Sequence, residues 1–118
     1  MKYLCMVYFE EKVLNALPRS EFEALGAEAL AYDEELKQSG HLIVAHALQP
    51  VETATTLRRR NGKLLTTDGP FVETKEQLGG FILVEARDLN EAIQLAARIP
   101  PGRLGGIEVR PIMEIIQR

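Results

Sequence analysis

The sequence predicts an α+β fold in which two helices lie on a β-sheet. Two stretches are apolar at consecutive positions, Lys2–Phe9 and Gly79–Ala86, which is typical of strands covered on both faces. Each of them is followed by a segment with apolar residues at helical spacing. If a hairpin at Asn61-Gly62 is set aside, the order is strand, helix, strand, strand, helix, strand. This is the ferredoxin-like βαββαβ pattern with an inserted β-hairpin.

Length and composition limit the class of protein. The 118 residues suffice for a single domain, residues 1–118, with its own core. The 46% hydrophobic and 26% charged residues exclude a disordered chain, and the net charge of −3 argues against a nucleic-acid binder. The longest apolar run, Tyr3–Phe9, is far shorter than the roughly 20 residues of a membrane span. No secretory signal is recognisable and a lone Cys5 suits a reducing compartment, so we expect a cytoplasmic location.

The first helix is predicted between Ser20 and Gly40, after a polar loop at residues 10–19. Ser20 and Glu23 have the spacing of a capping box, and Gly40 suits the left-handed position that follows a helix. The apolar stripe of this helix has spacings of three and four, and it consists of Phe22, Leu25, Ala29, Tyr32 and Leu36.

The middle of the chain is predicted to hold a strand and then the hairpin. The strand His41–Leu48 alternates, which places Leu42, Val44, His46 and Leu48 on one face. The hairpin consists of Thr53–Arg60 and Lys63–Thr67, joined by Asn61-Gly62. Its basic residues, Arg58, Arg59, Arg60 and Lys63, have no aromatic residues between them, so we interpret them as protection of a strand edge rather than as a nucleic-acid contact.

The last third of the chain completes the pattern. The apolar strand Gly79–Ala86 is followed by a second capping box, Asp88 with Glu91, and a short helix that Pro100-Pro101 ends. Residues Ile107–Ile116 form the last predicted strand. The two doubly apolar strands occupy the first and third positions of the pattern, which are the central ones in this fold.

The predicted fold leaves one face of the sheet without a cover. Two helices can cover only one face, yet the central strands are apolar on both. A second copy of the sheet is the simplest cover, so we expect a homodimer that packs sheet to sheet.

The segment Thr67–Gly80, with the sequence TDGPFVETKEQLGG, is the most distinctive in the chain. Asp68-Gly69-Pro70 is predicted to form a tight turn, because Gly69 tolerates a positive φ and Pro70 fixes its own φ. Gly79-Gly80 permits a close backbone approach where a central strand begins.

With this segment in view, the chain resembles the YciI-related family, and within it the branch with the Asp68-Gly69-Pro70-Phe71 motif (the DGPF branch). The resemblance extends over nearly the whole chain, including Gly40-His41-Leu42 and residues 108–111. It implies a ferredoxin-like fold that dimerises into an α+β barrel. Some relatives resemble lactone-processing dehalogenases or isomerases, and members of the DGPF branch are often linked to extracytoplasmic-function sigma factors. The YciI branch has a suspected catalytic histidine where this chain has Ala29, so that mechanism is not transferred.

Five residues are candidates for a functional site. His46 and Asp68 are candidate catalytic groups, and Glu73, Lys75 and Arg110 are candidate ligand-binding groups. Each also has a structural alternative. His46 would be a core or interface histidine and Asp68 a turn former. Glu73 and Lys75 would belong to a solvated charged face, and Arg110 would be an edge-strand charge. The two histidines and the cysteine have no metal-binding spacing, and no cofactor fingerprint is present, so neither a metal nor a cofactor is expected.

Two functional hypotheses remain open at this point. In the first, the chain binds or transforms a small molecule in a cleft near Asp68-Gly69-Pro70-Phe71. In the alternative, it is a non-catalytic regulatory module that acts with an extracytoplasmic-function sigma factor, as the resemblance implies. The residues do not decide whether the chain is an enzyme.

Overall fold

The computed structural model describes residues 1–115, and it confirms a mixed α+β fold with an antiparallel sheet. The helices are α1 (Glu11–Asn15), α2 (Arg19–Gln38) and α3 (Leu89–Ala97). The strands are β1 (Lys2–Phe9), β2 (Leu42–Ala47), β3 (Thr55–Arg60), β4 (Lys63–Asp68), β5 (Gln77–Glu85) and β6 (Gly105–Pro111). Two short 3₁₀ turns, Val51–Thr53 and Pro100–Leu104, precede β3 and β6.

The main sheet has the strand order β2-β5-β1-β6, with antiparallel neighbours throughout. The two doubly apolar strands, β1 and β5, are central, as the sequence predicts. The core face of β1 presents Tyr3, Cys5, Val7 and Phe9, all of which are buried. The helices pack on this face, where Tyr32 and Leu36 of α2 and Ala92 and Ala96 of α3 join the same core.

The opposite face of the sheet, which we call the open face, follows from the strand register. Met6 of β1 pairs with Phe81 of β5, and Phe81 pairs with His46 of β2, so these three side chains share a face. Leu4, Tyr8, Val44 and Leu83 lie on it as well. The apolar members of this face are half-buried by their neighbours in the sheet. Both long helices lie on the other side.

The two predicted capping boxes had different outcomes. At α3, the Asp88 carboxylate accepts a hydrogen bond from the amide of Glu91 at 2.9 Å, which confirms the second box. At α2 the prediction is wrong, because the helix begins at Arg19 with Pro18 before it and no side chain caps it. Ser20 therefore lies inside the first turn, and Glu23 pairs with Arg19 at 2.9 Å instead.

Most strand ends differ from the prediction by one or two residues, and the larger differences are at α1 and β6. Residues 10–19 are not all loop, because a single helical turn, α1, forms at Glu11–Asn15. The strand β6 begins two residues before Ile107, and it ends at Pro111, which has no amide to donate to a ladder. The predicted end at Ile116 lies outside the described residues.

The predicted hairpin is confirmed and forms a separate two-stranded sheet, β3-β4. Asn61 and Gly62 have φ values of 51° and 75°, as a two-residue hairpin turn of type I′ requires. Leu57, Leu64 and Leu65 are exposed along it. The radius of gyration is 16.3 Å, against roughly 13–14 Å for a compact domain of this length. Among residues 1–115, β3 and β4 pack chiefly against each other, so the hairpin projects from the domain.

Candidate ligand-binding cleft

A cleft of about 580 Å³ lies on the core face of the sheet, beside α2. One wall is α2, another is formed by β2 and β5, and the region around Ile99–Pro101 forms one end. The volume is within the range of small-molecule sites, which is about 300–1,000 Å³.

The cleft exists because its lining residues are small where three elements meet. The helix α2 contributes two positions with little or no side chain, and β2 and β5 contribute two each. These positions are Gly26, Ala29, Ala45, Ala47, Gly79 and Gly80. Larger side chains here would fill the space between helix and sheet, so the sequence keeps this space open.

The two glycines of β5 also permit close approaches from neighbouring strands. A Cβ at Gly79 would overlap the ring of Phe9, and a Cβ at Gly80 would lie 2.9 Å from the carbonyl oxygen of His46. The prediction that Gly79-Gly80 allows such an approach is thereby confirmed. Any side chain at Gly80 would push β2 away from β5 and distort one wall of the cleft.

The larger lining residues are almost all apolar. Deep in the cleft lie Val7, Phe9, Leu25, Ile82 and Ile99. At its mouth, Phe22 and Leu30 are 50% and 72% exposed although both are apolar. Exposed apolar side chains around the mouth of a concave apolar site are typical of ligand-binding clefts.

Asp33 is the acidic side chain in this lining. It lies on α2 one helical turn after Ala29, which places both residues on the side that faces the cleft. The carboxyl is half-buried, and this burial raises the pKa of Asp33 above its usual range because the charged form is poorly solvated. A carboxyl in such surroundings gains from any ligand group that accepts its proton or pairs with its charge.

The structure places His46 at the cleft, but its side chain lies on the open face. The predicted strand faces are partly wrong, because an irregularity between Leu42 and Val44 turns Leu42 to the core side with Ala45 and Ala47. His46 pairs with Phe81 across β2 and β5, and their rings pack edge to face with centroids 5.9 Å apart. His46 therefore borders the cleft through its backbone.

The other predicted site residues lie outside this cleft. Asp68 is exposed at the end of β4, and Glu73 is exposed in the loop that follows. Gly69 between them has a φ of 112°, which confirms the predicted backbone conformation of the turn. Lys75 pairs with Glu10 at 3.5 Å and borders a second, wider depression together with Tyr8 and Glu108.

Arg110 of β6 pairs with Glu108 on the same strand. The register places these two side chains opposite Leu4 and Met6, so both lie on the open face. The structure thus does not bring the five predicted site residues together in one cavity.

Sequence reasoning missed Asp33, Ala29 and Gly26 as site residues. A signal was present, since Phe22, Gly26, Ala29 and Asp33 recur at spacings of three and four. Phe22 and Ala29 also belong to the predicted apolar stripe, but in the structure Phe22 is exposed and Ala29 is half-buried. The small size of Gly26 and Ala29 and the polarity of Asp33 distinguish this side of α2 from its buried residues, which are Leu25, Tyr32 and Leu36. Within residues 1–115, no three histidine, cysteine or acidic side chains are placed to hold a metal ion.

Fold and cleft together define a class, a ferredoxin-like α+β protein with an apolar cleft between its first long helix and its sheet. The family model described as a YCII-related domain matches residues 1–116. An uncharacterised protein of Rhizobium meliloti (strain 1021) is 35% identical over 114 residues, which is 95% of this chain and 92% of that protein. The chain therefore belongs to the YCII-related family. No helix among residues 1–115 has the length and hydrophobicity to cross a membrane.

Proposed function

We propose that this protein binds a small, largely apolar molecule in the cleft beside α2. The observation behind the proposal is a concave space of about 580 Å³ with apolar walls and one acidic side chain, Asp33. Burial of apolar ligand surface there would supply the affinity, at roughly 25 cal/mol per Å² before the costs of binding. Asp33 would orient the ligand by its polar group.

Binding, rather than catalysis, is the function that the cleft geometry supports. Acid–base catalysis commonly uses two ionisable groups of different pKa on one substrate. In the described part of the chain, Asp33 is the ionisable side chain that faces the cleft, and the position of the suspected family histidine, Ala29, is apolar. The Asp68 segment, exposed beyond the cleft, would then contribute to architecture or to access.

An interaction module is the second candidate, and the projecting hairpin favours it. Leu57 and Leu64 share one face of β3-β4 and are 58% and 56% exposed. On the other face, the guanidinium of Arg58 lies over the ring of Phe71 at 4.2 Å. Such a hairpin is a surface that a protein partner, including a sigma factor, could contact. Co-purification that depends on Leu57 and Leu64 and is indifferent to the cleft would favour this candidate.

We also propose that the protein is a homodimer through its open face. Leu4, Met6, Phe81 and Leu83 form a contiguous apolar surface on the two central strands, and both long helices lie on the other side. A second sheet would cover this surface and remove it from water. The cleft beside α2 lies on the opposite face of the sheet, so ligand binding and dimerisation would use separate surfaces.

Nile red, a neutral apolar dye that fluoresces when it leaves water, tests the cleft. A Cβ at Gly26 would meet nothing within 4 Å, so Gly26→Phe fits the helix and projects its ring into the cleft. We expect the wild-type protein to bind the dye and Gly26→Phe to bind it at least tenfold more weakly. Ala27→Phe, one residue along α2 and outside the cleft lining, is the matched control and should bind as the wild type does. Equal binding by Gly26→Phe and Ala27→Phe would contradict the proposed site.

A further inference from the structure

We propose that the molecule bound in this cleft carries a cationic amine, and that the carboxylate of Asp33 binds it. This inference rests on the proposed function and adds the chemical class of the ligand. Its basis is the charge of the cleft: the lining includes one carboxyl group and no lysine or arginine among the described residues.

The carboxylates of α2 differ in whether they already have a partner. Glu23 pairs with Arg19 at 2.9 Å, Glu28 with Arg103 at 2.9 Å, and Glu35 with Arg98 at 2.5 Å. Within residues 1–115, no basic side chain forms an ion pair with Asp33. Asp33 thus brings to the cleft a negative charge that no basic side chain among residues 1–115 neutralises in an ion pair.

An ammonium group is the ligand group that best satisfies this site. It would form a charge-assisted hydrogen bond with Asp33 in partly desolvated surroundings, where such bonds are strongest. Because burial disfavours the charged form of Asp33, a cation beside it would restore that form. A carboxylate or phosphate would instead meet a like charge, and α2 itself has six acidic side chains against two basic ones.

The apolar walls determine the remainder of the ligand. An ammonium group at Asp33 would have Ala29 one turn away on the helix, and the same cleft is lined by Leu25 further along α2 and by Ala45 on the sheet. A hydrocarbon or aromatic body attached to the amine would fill the space that the small residues leave. The expected ligand class is therefore an amphipathic amine, with one positive charge and an apolar body.

Three probes of equal length separate the alternatives: 4-phenylbutylamine, 4-phenylbutanol and 4-phenylbutyrate. Their affinities for the full-length protein are measured by isothermal titration calorimetry at pH 7 and low salt. We expect the amine to bind about tenfold more tightly than the alcohol, as one charge-assisted contact provides, and the carboxylate to bind more weakly than either. In Asp33→Asn, the amine and the alcohol should bind equally.

Glu34→Gln is the matched control, because it removes one negative charge from the adjacent, exposed position of α2. It should retain the tenfold preference for the amine. If the alcohol binds the wild type as tightly as the amine does, or if the preference survives in Asp33→Asn, the amine inference is overturned and the proposed function stands. If none of the three probes binds and Nile red does not bind either, both are overturned.

Discussion

The hydroxyl of Tyr32 in α2 donates a hydrogen bond to the backbone carbonyl of Leu95 in α3, with 2.5 Å between the two oxygens. The guanidinium of Arg98 lies over the ring of Tyr32 at 4.9 Å, and it also pairs with Glu35 of α2. These contacts join the two long helices above the core. Because α2 is one wall of the cleft, they also hold that wall in place.

Removal of the Tyr32 hydroxyl should weaken the contact between α2 and α3. We expect Tyr32→Phe to lower the free energy of unfolding by about 1 kcal/mol, which is typical of one hydrogen bond, because the ring and its packing remain. Urea unfolding followed by circular dichroism measures the change. Tyr8→Phe is the control, since among residues 1–115 the hydrogen bond of the Tyr8 hydroxyl is a long one, to the sulfur of Met6 at 3.9 Å. Equal losses in both variants would contradict a role for the Tyr32–Leu95 bond.

Cys5 predicts how stability changes at alkaline pH. It is fully buried in β1, and this burial raises the pKa of its thiol to about 11 from 9.0. A group whose pKa is higher in the folded state than in the unfolded state contributes its full stabilisation at pH values below the unfolded-state pKa. For Cys5 this contribution is lost as the pH rises from about 9 to about 11. We therefore expect the free energy of unfolding to fall over this range.

Cys5→Ala removes the thiol and isolates its contribution. Its stability should fall less steeply between pH 9 and pH 11 than that of the wild type, because the thiol no longer titrates. Some decrease should remain, because burial also raises the pKa of Tyr32, which is present in both proteins. At pH 7 the native thiol should resist iodoacetamide until urea unfolds the chain. Parallel pH profiles for the two proteins, or rapid alkylation of the native form, would show that Cys5 is accessible.

Gly69 predicts a local effect at the base of the hairpin. Its φ of 112° is strained for any residue with a Cβ, and its amide donates to the carbonyl of Ala54 at 2.8 Å. We expect Gly69→Ala to cost about 1 kcal/mol and thus to speed amide exchange in residues 55–68 roughly fivefold. The effect should be local, because the hairpin does not pack against the main sheet.

Gly26→Ala is the matched glycine substitution in ordinary backbone. It lies in α2, where a Cβ meets nothing within 4 Å, so this variant should gain about 0.5–1 kcal/mol of stability and leave hairpin exchange unchanged. If exchange in residues 55–68 is the same in Gly69→Ala as in the wild type, the turn is not strained in solution.

The sequence predicted the fold well because the relevant signals are local. Consecutive apolar residues identified β1 and β5, and the Asn61-Gly62 pair identified the hairpin, since each depends on neighbouring residues only. Helix ends were less predictable. The capping box at Asp88 formed. Ser20 is not the N-cap of α2, because this helix begins one residue earlier, at Arg19, which follows Pro18 and pairs with Glu23.

The cleft could not be predicted in the same way. It results from small residues that are distant in sequence, such as Gly26, Ala45 and Gly80, and that meet only after the chain has folded. The direction of His46 depends on an irregularity in the pairing of β2 with β5, which no local pattern indicates. Prediction from sequence therefore selected the distinctive Asp68 segment and missed a cavity that exists because several of its lining residues are glycine or alanine.

The proposed dimer gives the last prediction, which concerns Phe81. Its side chain lies in the middle of the open face, between Met6 of β1 and His46 of β2. In a dimer that packs sheet to sheet, Phe81→Glu would bury an unpaired charge in the interface, at a cost of several kcal/mol. We expect sedimentation equilibrium at micromolar concentration to show a dimer for the wild type and a monomer for Phe81→Glu.

Phe71→Glu is the control, because Phe71 is 63% exposed in the loop after β4, and this variant should remain dimeric. A monomeric wild type, or a Phe81→Glu variant that is folded by circular dichroism and still dimeric, would show that the open face is not the interface.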